Sequence, residues 1–306
     1  MNKLSKAHII IVAGLVLYCG IMLSCSNRQQ ETSQTKLENH LIDSLIGINK
    51  INDKTILLSF GADAITAIKT QKGIVVIDAG ISTGLSSKFR NKIEEEFQSD
   101  DFTYVVNTHS HPDHYGGNSV FHEAKIIGQK NGLEEISVQC VNPEKIQSRL
   151  LIIVEEYDSK LKESVINTEE WYNAFTQKTR YYYALNDAES LISIKQPEIT
   201  FSDSLQIDMG DVSFEMIYFG KCHSNSDILI YIPELKILFT GDLFFKYGRP
   251  SINDSLMQDK VKWKQAIVWI EKLMPNIETI ISGHGVLLSA EDIQYFNSNI
   301  LEKCSN

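Results

Sequence analysis

Apolar and polar positions change places in short blocks along most of the chain. Thr55–Phe60, Ala64–Thr70 and Gly73–Asp78 are runs of apolar and β-branched residues broken by Gly and Asp, and they predict three short strands. Between Gly84 and Phe97 the pattern shifts. Leu85, Phe89, Ile93 and Phe97 recur at every fourth position, the spacing of one face of an amphipathic helix. Tyr104–Val106 and Lys125–Gly128 predict two more strands. From Pro143 to about Ser193 the pattern is helical, charged and rich in Tyr. Strand character returns at Glu198–Phe201, Leu205–Met209 and Val212–Phe219, with Met209-Gly210-Asp211 as a hairpin turn. Asp227–Ile232 and Lys236–Thr240 form a second hairpin across Pro233-Glu234-Leu235. Met257–Met274 predicts a helix carrying Trp263, Ile267, Ile270 and Met274 on one stripe, Glu278–Ser282 a strand, and Glu291–Glu302 a last helix. Antiparallel groups of strands, interrupted and followed by helices, place the chain in the α/β or α+β class, with sheets covered by helices.

The N-terminus follows a different logic. Lys3 and Lys6 precede Ile9–Leu23, 15 residues that are almost wholly apolar. A helix needs roughly 20 residues to span a bilayer, so this run fits the hydrophobic region of a signal peptide better. It ends Met22-Leu23-Ser24-Cys25, which resembles a bacterial lipobox. By that resemblance residues 1–24 are removed, the Cys25 thiol is lipidated, and the protein is anchored to a membrane of the cell envelope, outside the cytoplasm. Cys19 fits worse, because Tyr18 before it is not small. The alternative is an uncleaved anchor with an incidental cysteine; it too leaves the rest of the chain outside the cytoplasmic membrane. Residues 26–40 are polar without an apolar period and predict a flexible tether. Residues 25–45 then form the lipidated cysteine and tether, and residues 46–306 the folded domain.

Composition narrows the field. Hydrophobic residues make up 43% of the 306 positions, enough for a buried core. Lys+Arg number 29 against Asp+Glu 39, a formal net charge of −10, which argues against a nucleic-acid partner. Five cysteines are too few for a disulfide framework.

The chemistry lies in the histidines. Thr108-His109-Ser110-His111-Pro112-Asp113-His114 follows the strand Tyr104–Val106 and packs three imidazoles and a carboxylate into six consecutive positions. In extended chain, residues i and i+2 point the same way, so His109 and His111 can grip one ion; beyond the Pro112 bend, Asp113 and His114 can face a second. Three later strand ends repeat the arrangement: His223 after Val212–Phe219, Asp242 after Lys236–Thr240, and His284 after Glu278–Ser282. Imidazole with carboxylate is a donor set for Zn²⁺, and also for iron or manganese. Taken one at a time, Asp242 is readily a turn residue and His223 or His284 a loop histidine. Five of the eight histidines nevertheless fall at these four junctions.

The constellation resembles the metallo-β-lactamase superfamily. The matching segments are Thr108–His114 with the following Gly116-Gly117-Asn118, His223 in His-Ser-Asn-Ser-Asp, Thr240-Gly241-Asp242, and Gly283-His284-Gly285. The resemblance implies a four-layer αββα sandwich with metals at one edge. It implies that His109, His111 and His223 hold a first Zn²⁺, that Asp113, His114 and His284 hold a second, and that Asp242 bridges both. A hydroxide shared by the two ions is then the nucleophile, with Asp113 orienting it and handling its proton, in a hydrolase acting on a small-molecule substrate.

Departures from family patterns refine this expectation. In the lactamases that place a cysteine on the second metal, that cysteine stands where Asp242 stands here. The Asp-bridged pattern belongs instead to glyoxalase II-like thioesterases, lactonases, phosphodiesterases and other hydrolases. Only 22 residues follow His284, too few for the helical C-terminal domain of the glutathione thioesterases. The expected substrate is a small ester, lactone, thioester or amide, a β-lactam among them. Two alternatives stand beside it: a mononuclear iron oxidoreductase of the persulfide dioxygenase kind, and a non-catalytic metal-binding lipoprotein. Lys246 and Arg249, just past Asp242, are candidates for an anionic substrate group. The aromatic stretch containing Trp171, Tyr172, Phe175 and Tyr181–Tyr183 reads equally as a cap on the site or as helix core. Cys222 adjoins a candidate ligand but points the other way in an extended chain.

Overall fold

The strand Ile228–Ile232 (β10) shows how the layers arise. Ile228, Ile230 and Ile232 are buried in one apolar cluster, whereas Leu229 and Tyr231 are buried in another. Successive side chains of a strand point to opposite faces, so a strand that is apolar at every position has both faces covered. The computed structural model describes residues 27–139, 142–244 and 259–304. Cys25, Cys140, Lys246 and Arg249 lie outside them.

Two mixed sheets carry the fold. The first has seven strands in sequential order: Gly47–Asn52 (β1), Thr55–Phe60 (β2), Asp63–Thr70 (β3), Gly73–Ile77 (β4), Phe102–Val106 (β5), Lys125–Gln129 (β6) and Ile199–Phe201 (β7). It is antiparallel up to β4 and parallel from β4 to β7. The second has six strands in the order β13-β12-β11-β10-β9-β8, built from Ser204–Asp208 (β8), Ser213–Tyr218 (β9), β10, Ile237–Gly241 (β11), Thr279–Ser282 (β12) and Leu287–Leu288 (β13). Only β11 and β12 are parallel in this sheet.

Three apolar clusters bind four layers. Between the sheets, Leu57, Ile68, Val75, Ile77 and Val106 meet Phe214, Met216, Ile230, Phe239 and Ile281. Outside the first sheet, Leu85, Phe89, Ile93 and Phe97 of helix Thr83–Phe97 (α2) pack on Ile56, Leu58, Ile74 and Val76. Outside the second, Trp263, Ala266, Ile267 and Ile270 of helix Lys260–Leu273 (α6) and Ile293 and Phe296 of helix Ala290–Cys304 (α7) cover Leu229, Leu238 and Ile280. The expected αββα sandwich is the observed one.

The helical stretch Pro143–Ser193 resolves into a pair, Pro143–Glu163 (α4) and Glu169–Glu189 (α5). Phe175 of α5 is buried in the outer core of the first sheet, with Trp171 and Tyr183 packed against it and Trp171 stacked on Phe175 at 5.3 Å. Much of the aromatic stretch is therefore helix core; Tyr182 is exposed.

The structure corrects the reading of residues 26–40 as a flexible tether. Asn27–Leu45 is a helix (α1). Its last turns dock: Ile42 is buried, Leu41 and Leu45 pack against the outer core, and Lys88 pairs with Asp43 at 2.8 Å. The apolar anchors lie after residue 40, at Leu41, Ile42 and Leu45. Gln, Glu and Lys upstream are good helix formers that extend the helix from that docked end.

Candidate metal centre

Each candidate ligand enters the site from the end of a strand. After β5 the chain runs through Asn107 and Thr108 to His109 and His111. Pro112 restricts the residue before it to extended backbone, and His111 sits there at φ −86°, ψ 145°. Pro112 then opens the single helical turn Pro112–Tyr115, which carries Asp113 and His114. Asn107 and Asn118 clamp this loop: their buried side-chain amides exchange hydrogen bonds of 2.9 and 2.8 Å, and Asn107 Nδ2 also donates to the His114 carbonyl at 3.0 Å.

From the second sheet, His223 lies between β9 and β10, Asp242 follows β11 and His284 follows β12. Because β11 and β12 are parallel neighbours, Asp242 and His284 emerge at the same edge, and the Gly283 N–H donates to the Gly241 carbonyl at 2.8 Å. The Ile228 N–H donates to the Thr108 carbonyl at 2.9 Å and joins the two sheets at that edge. A Cβ on Gly283 would stand 2.3 Å from Asp242 Oδ1 and 2.9 Å from His114 Cε1, so the site admits only glycine there.

The side chains converge as two groups of potential metal-binding donors, His109, His111, His223 and Asp242 in one, Asp113, His114 and His284 in the other. Asp242 Oδ2 faces both. It lies 3.7 Å from His109 Nε2 and 3.6 Å from His223 Nε2, and 3.6 Å from His114 Nε2 and 3.3 Å from His284 Nε2. Three atoms here, His109 Nε2, His114 Nε2 and Asp242 Oδ1, are buried without a hydrogen-bond partner among the described residues. Leaving such an atom unsatisfied costs about 1–3 kcal/mol. Three of them in one nest of imidazole and carboxylate donors fit a cation.

Neighbouring groups orient the rings. His114 Nδ1 donates to Asp78 Oδ2 at 2.9 Å, which turns Nε2 into the site. Asp78 also accepts from the Thr108 N–H at 2.7 Å and from its hydroxyl. The Thr108 hydroxyl in turn lies 3.1 Å from His109 Nδ1. His284 Nδ1 donates to the Ala62 carbonyl at 2.7 Å. Glu135, on helix Asn131–Gln139 (α3), accepts from the Ser110 hydroxyl, from Ser226 Oγ at 3.0 Å and from the Asn225 N–H at 3.1 Å, tying the His109 loop to the His223 loop.

The fields of these groups divide the histidines. Burial, with the neighbouring His114 charge, holds His109 well below the usual imidazole range, and burial lowers His223 to about 4. Burial also acts against a charged His114, but the carboxylates of Asp242 and Asp78 outweigh it and hold this imidazole well above its usual range. Burial works against ionised Asp242 as well, yet the charges of His114 and His109 keep its carboxyl well below the normal range. Asp227, which accepts from the Ser224 N–H and hydroxyl, is pushed by burial up to about 8.

One side of the centre is open. The side chains of His109 and His114 are 0% and 1% exposed, whereas those of Asp113, His223 and His284 are 27%, 18% and 24% exposed. Among the described residues, Asp113, His223 and His284 form the exposed side of the centre. Cys222 is buried among Leu229, Trp263 and Phe244, and burial raises its thiol far from the reactive range. Sequence reasoning missed Asp78, Glu135, Asp63 and Arg180; of these only Asp78, closing a predicted strand, had a signal in its position.

A family model described as the metallo-beta-lactamase superfamily matches residues 60–284. The chain belongs to that superfamily. As a metallo-beta-lactamase superfamily member it is a metal-dependent hydrolase-like enzyme. It is 26% identical over 266 residues to the metallo-beta-lactamase type 2 of Elizabethkingia meningoseptica, spanning 83% of this chain and 80% of that one. The metallo-beta-lactamase type 2 of Bacillus cereus is 21% identical over 218 residues, 71% of this chain and 65% of that one. Among solved structures, a metallo-beta-lactamase from Pontibacter korlensis superposes with a TM-score of 0.56 at 17% identity, covering 84% of this chain and 99% of that one. The metallo-beta-lactamase FIM-1 from Pseudomonas aeruginosa, in its mono-zinc form, gives 0.56 at 13% identity, covering 85% and 96%. These structural likenesses place the superfamily fold.

Proposed function

We propose that this superfamily member is a two-zinc hydrolase of a small ester, lactone, thioester or amide, β-lactams included. The observation that carries the reading is Asp242, whose Oδ2 lies within 3.7 Å of imidazole nitrogens from both donor groups. A carboxylate in that position suits a bridge between two ions. Seven donors also exceed what one four-coordinate zinc takes. His109, His111 and His223 would hold one ion, Asp113, His114 and His284 the other. Zinc bound there supplies Lewis acidity and a water that ionises near neutral pH.

The protein's own groups do the rest. Asp78 and the Ala62 carbonyl keep His114 and His284 in the tautomer that presents Nε2. Asp113, held below the usual carboxylate range by His114 and His284 against its burial, is ionised and sits on the open side. It is placed to take the proton of an attacking water and pass it to the leaving group. The superfamily relatives named as β-lactamases bring the β-lactam amide into the substrate class; the resemblance of the Asp242 pattern to thioesterases and lactonases adds ester, lactone and thioester carbonyls. Cys25 would carry the lipid that holds the enzyme at a membrane of the cell envelope.

The test is a hydrolysis screen of the zinc-loaded chain across ester, lactone, β-lactam, thioester and phosphodiester substrates, with metal analysis of protein from native cells. Turnover of a carbonyl substrate that is lost on chelation and restored by Zn²⁺ is expected. One iron per chain, with no hydrolysis after zinc loading, would overturn the reading.

A further inference from the structure

Arg180 reaches the metal centre from α5, the second helix of the pair inserted between β6 and β7. Its side chain is almost fully buried. Nη2 donates to Asp63 Oδ1 at 2.6 Å and lies 3.6 Å from Asp113 Oδ2; Nη1 donates to Gln177 Oε1 at 2.8 Å. Asp63 is 1% exposed and opens β3 directly after the turn Gly61-Ala62. That turn is pressed against the same helix. Gly61 has φ +60°, and a Cβ there would stand 2.8 Å from Thr176 Oγ1 and 2.9 Å from Thr176 Cβ. The next carbonyl, Ala62, accepts from His284 Nδ1. One face of α5 thus holds Asp113 through a guanidinium and His284 through a backbone turn that it clamps. Both belong to the second donor group. His109 of the first group takes its orientation from Thr108 instead.

A buried ion pair is a weak source of stability, because desolvation offsets most of the attraction. The position of Asp63–Arg180, one contact from Asp113 and one turn from His284, gives it another use. We propose that Arg180 is a positioning residue for the second metal position, and that the inserted α4–α5 pair thereby sets the affinity of the second ion separately from the first. This rests on the two-ion reading above. Arg180 and Asp63 neutralise one another, so the pair orients Asp113 without adding a net positive charge beside the ion.

Removing Arg180 alone would leave Asp63 buried and unpaired, a change that threatens the fold. Two other variants avoid this. Asp63→Asn with Arg180→Gln removes both charges and keeps hydrogen-bonding groups. Arg180→Lys keeps the charge and loses the planar fork. The detergent-solubilised full chain, stripped by chelation, is titrated with Zn²⁺ by calorimetry, and with Co²⁺ followed by its visible spectrum. Wild type is expected to take two equivalents. The double variant should bind the first with unchanged affinity and the second roughly 10–100-fold more weakly, with Arg180→Lys between the two. Wild-type affinity for both equivalents in both variants overturns the proposal and leaves the two-ion reading standing. Equal weakening of both equivalents also overturns it, because a general loss of structure does not choose between ions. A wild-type chain that saturates at one equivalent defeats the two-ion reading itself.

Discussion

Asp242 is where one side chain has the largest chemical consequence. If its carboxylate spans both donor groups, Asp242→Ala leaves His109, His111 and His223 to hold one ion and frees the other. Outer partners of metal ligands typically cost 10–100-fold when removed, so loss of a direct ligand should cost at least about 100-fold in turnover. Asp242→Cys should instead put a thiolate on the second ion alone and leave no bridge between the two. Zinc stoichiometry beside the rate checks both; two tightly held ions and full activity in Asp242→Ala would make Asp242 a turn residue. Gly283 makes a second case. Its absent Cβ leaves room for Asp242 Oδ1, at 2.3 Å from where that atom would stand. Gly283→Ala should therefore weaken zinc binding roughly 10–100-fold, as a displaced outer partner does, while its far-ultraviolet circular dichroism stays that of wild type.

At the scale of elements, the four-residue period of α2 is a stability statement. Phe89 is fully buried between that helix and the first sheet. Phe89→Ala should destabilise the fold by about 3–5 kcal/mol, measured by urea unfolding of the metal-free chain; a loss below 1 kcal/mol would mean that the outer core collapses to fill the space. The same period made α2 legible in the sequence, as alternation and apolar runs did for most strands. Strand β1 was not, because its burial alternates weakly on an exposed edge and only Ile48 and Ile51 are apolar. Helix α1 was not, because its anchors begin at Leu41, beyond the polar run that describes its first half. The candidate ligands were legible because each follows a strand end and the chemistry of His and Asp is distinctive. Their supports were not. Arg180 is one cation in a charged helix, and its proximity to Asp63, 117 positions away, is a fact of tertiary packing.

For the whole molecule, the described residues contain no helix long and apolar enough to cross a membrane. The proposed attachment is through Cys25, which with the apolar run Ile9–Leu23 lies outside those residues. Cys25→Ser should abolish labelling by a fatty-acid analogue in growing cells and either release the domain or leave its precursor uncut. Undiminished labelling would remove the lipoprotein reading and leave the hydrolase reading untouched.

The seven donors are shared between the two halves of the sandwich: four hang from the end of β5, three from the ends of β9, β11 and β12. A cation gripped by both sets is a rivet through two plates. Shearing one sheet against the other would tear the coordination shell before it exposed much of the core between them. The ion then binds the folded state and not the unfolded one, and at a hundredfold excess over its dissociation constant it adds about 2.7 kcal/mol to folding. Amide hydrogen exchange at the seam, at Ile228, would slow as metal is added. If the proposed zinc is that rivet, sequestering it would both silence the catalyst and loosen the joint that keeps the domain intact against proteases.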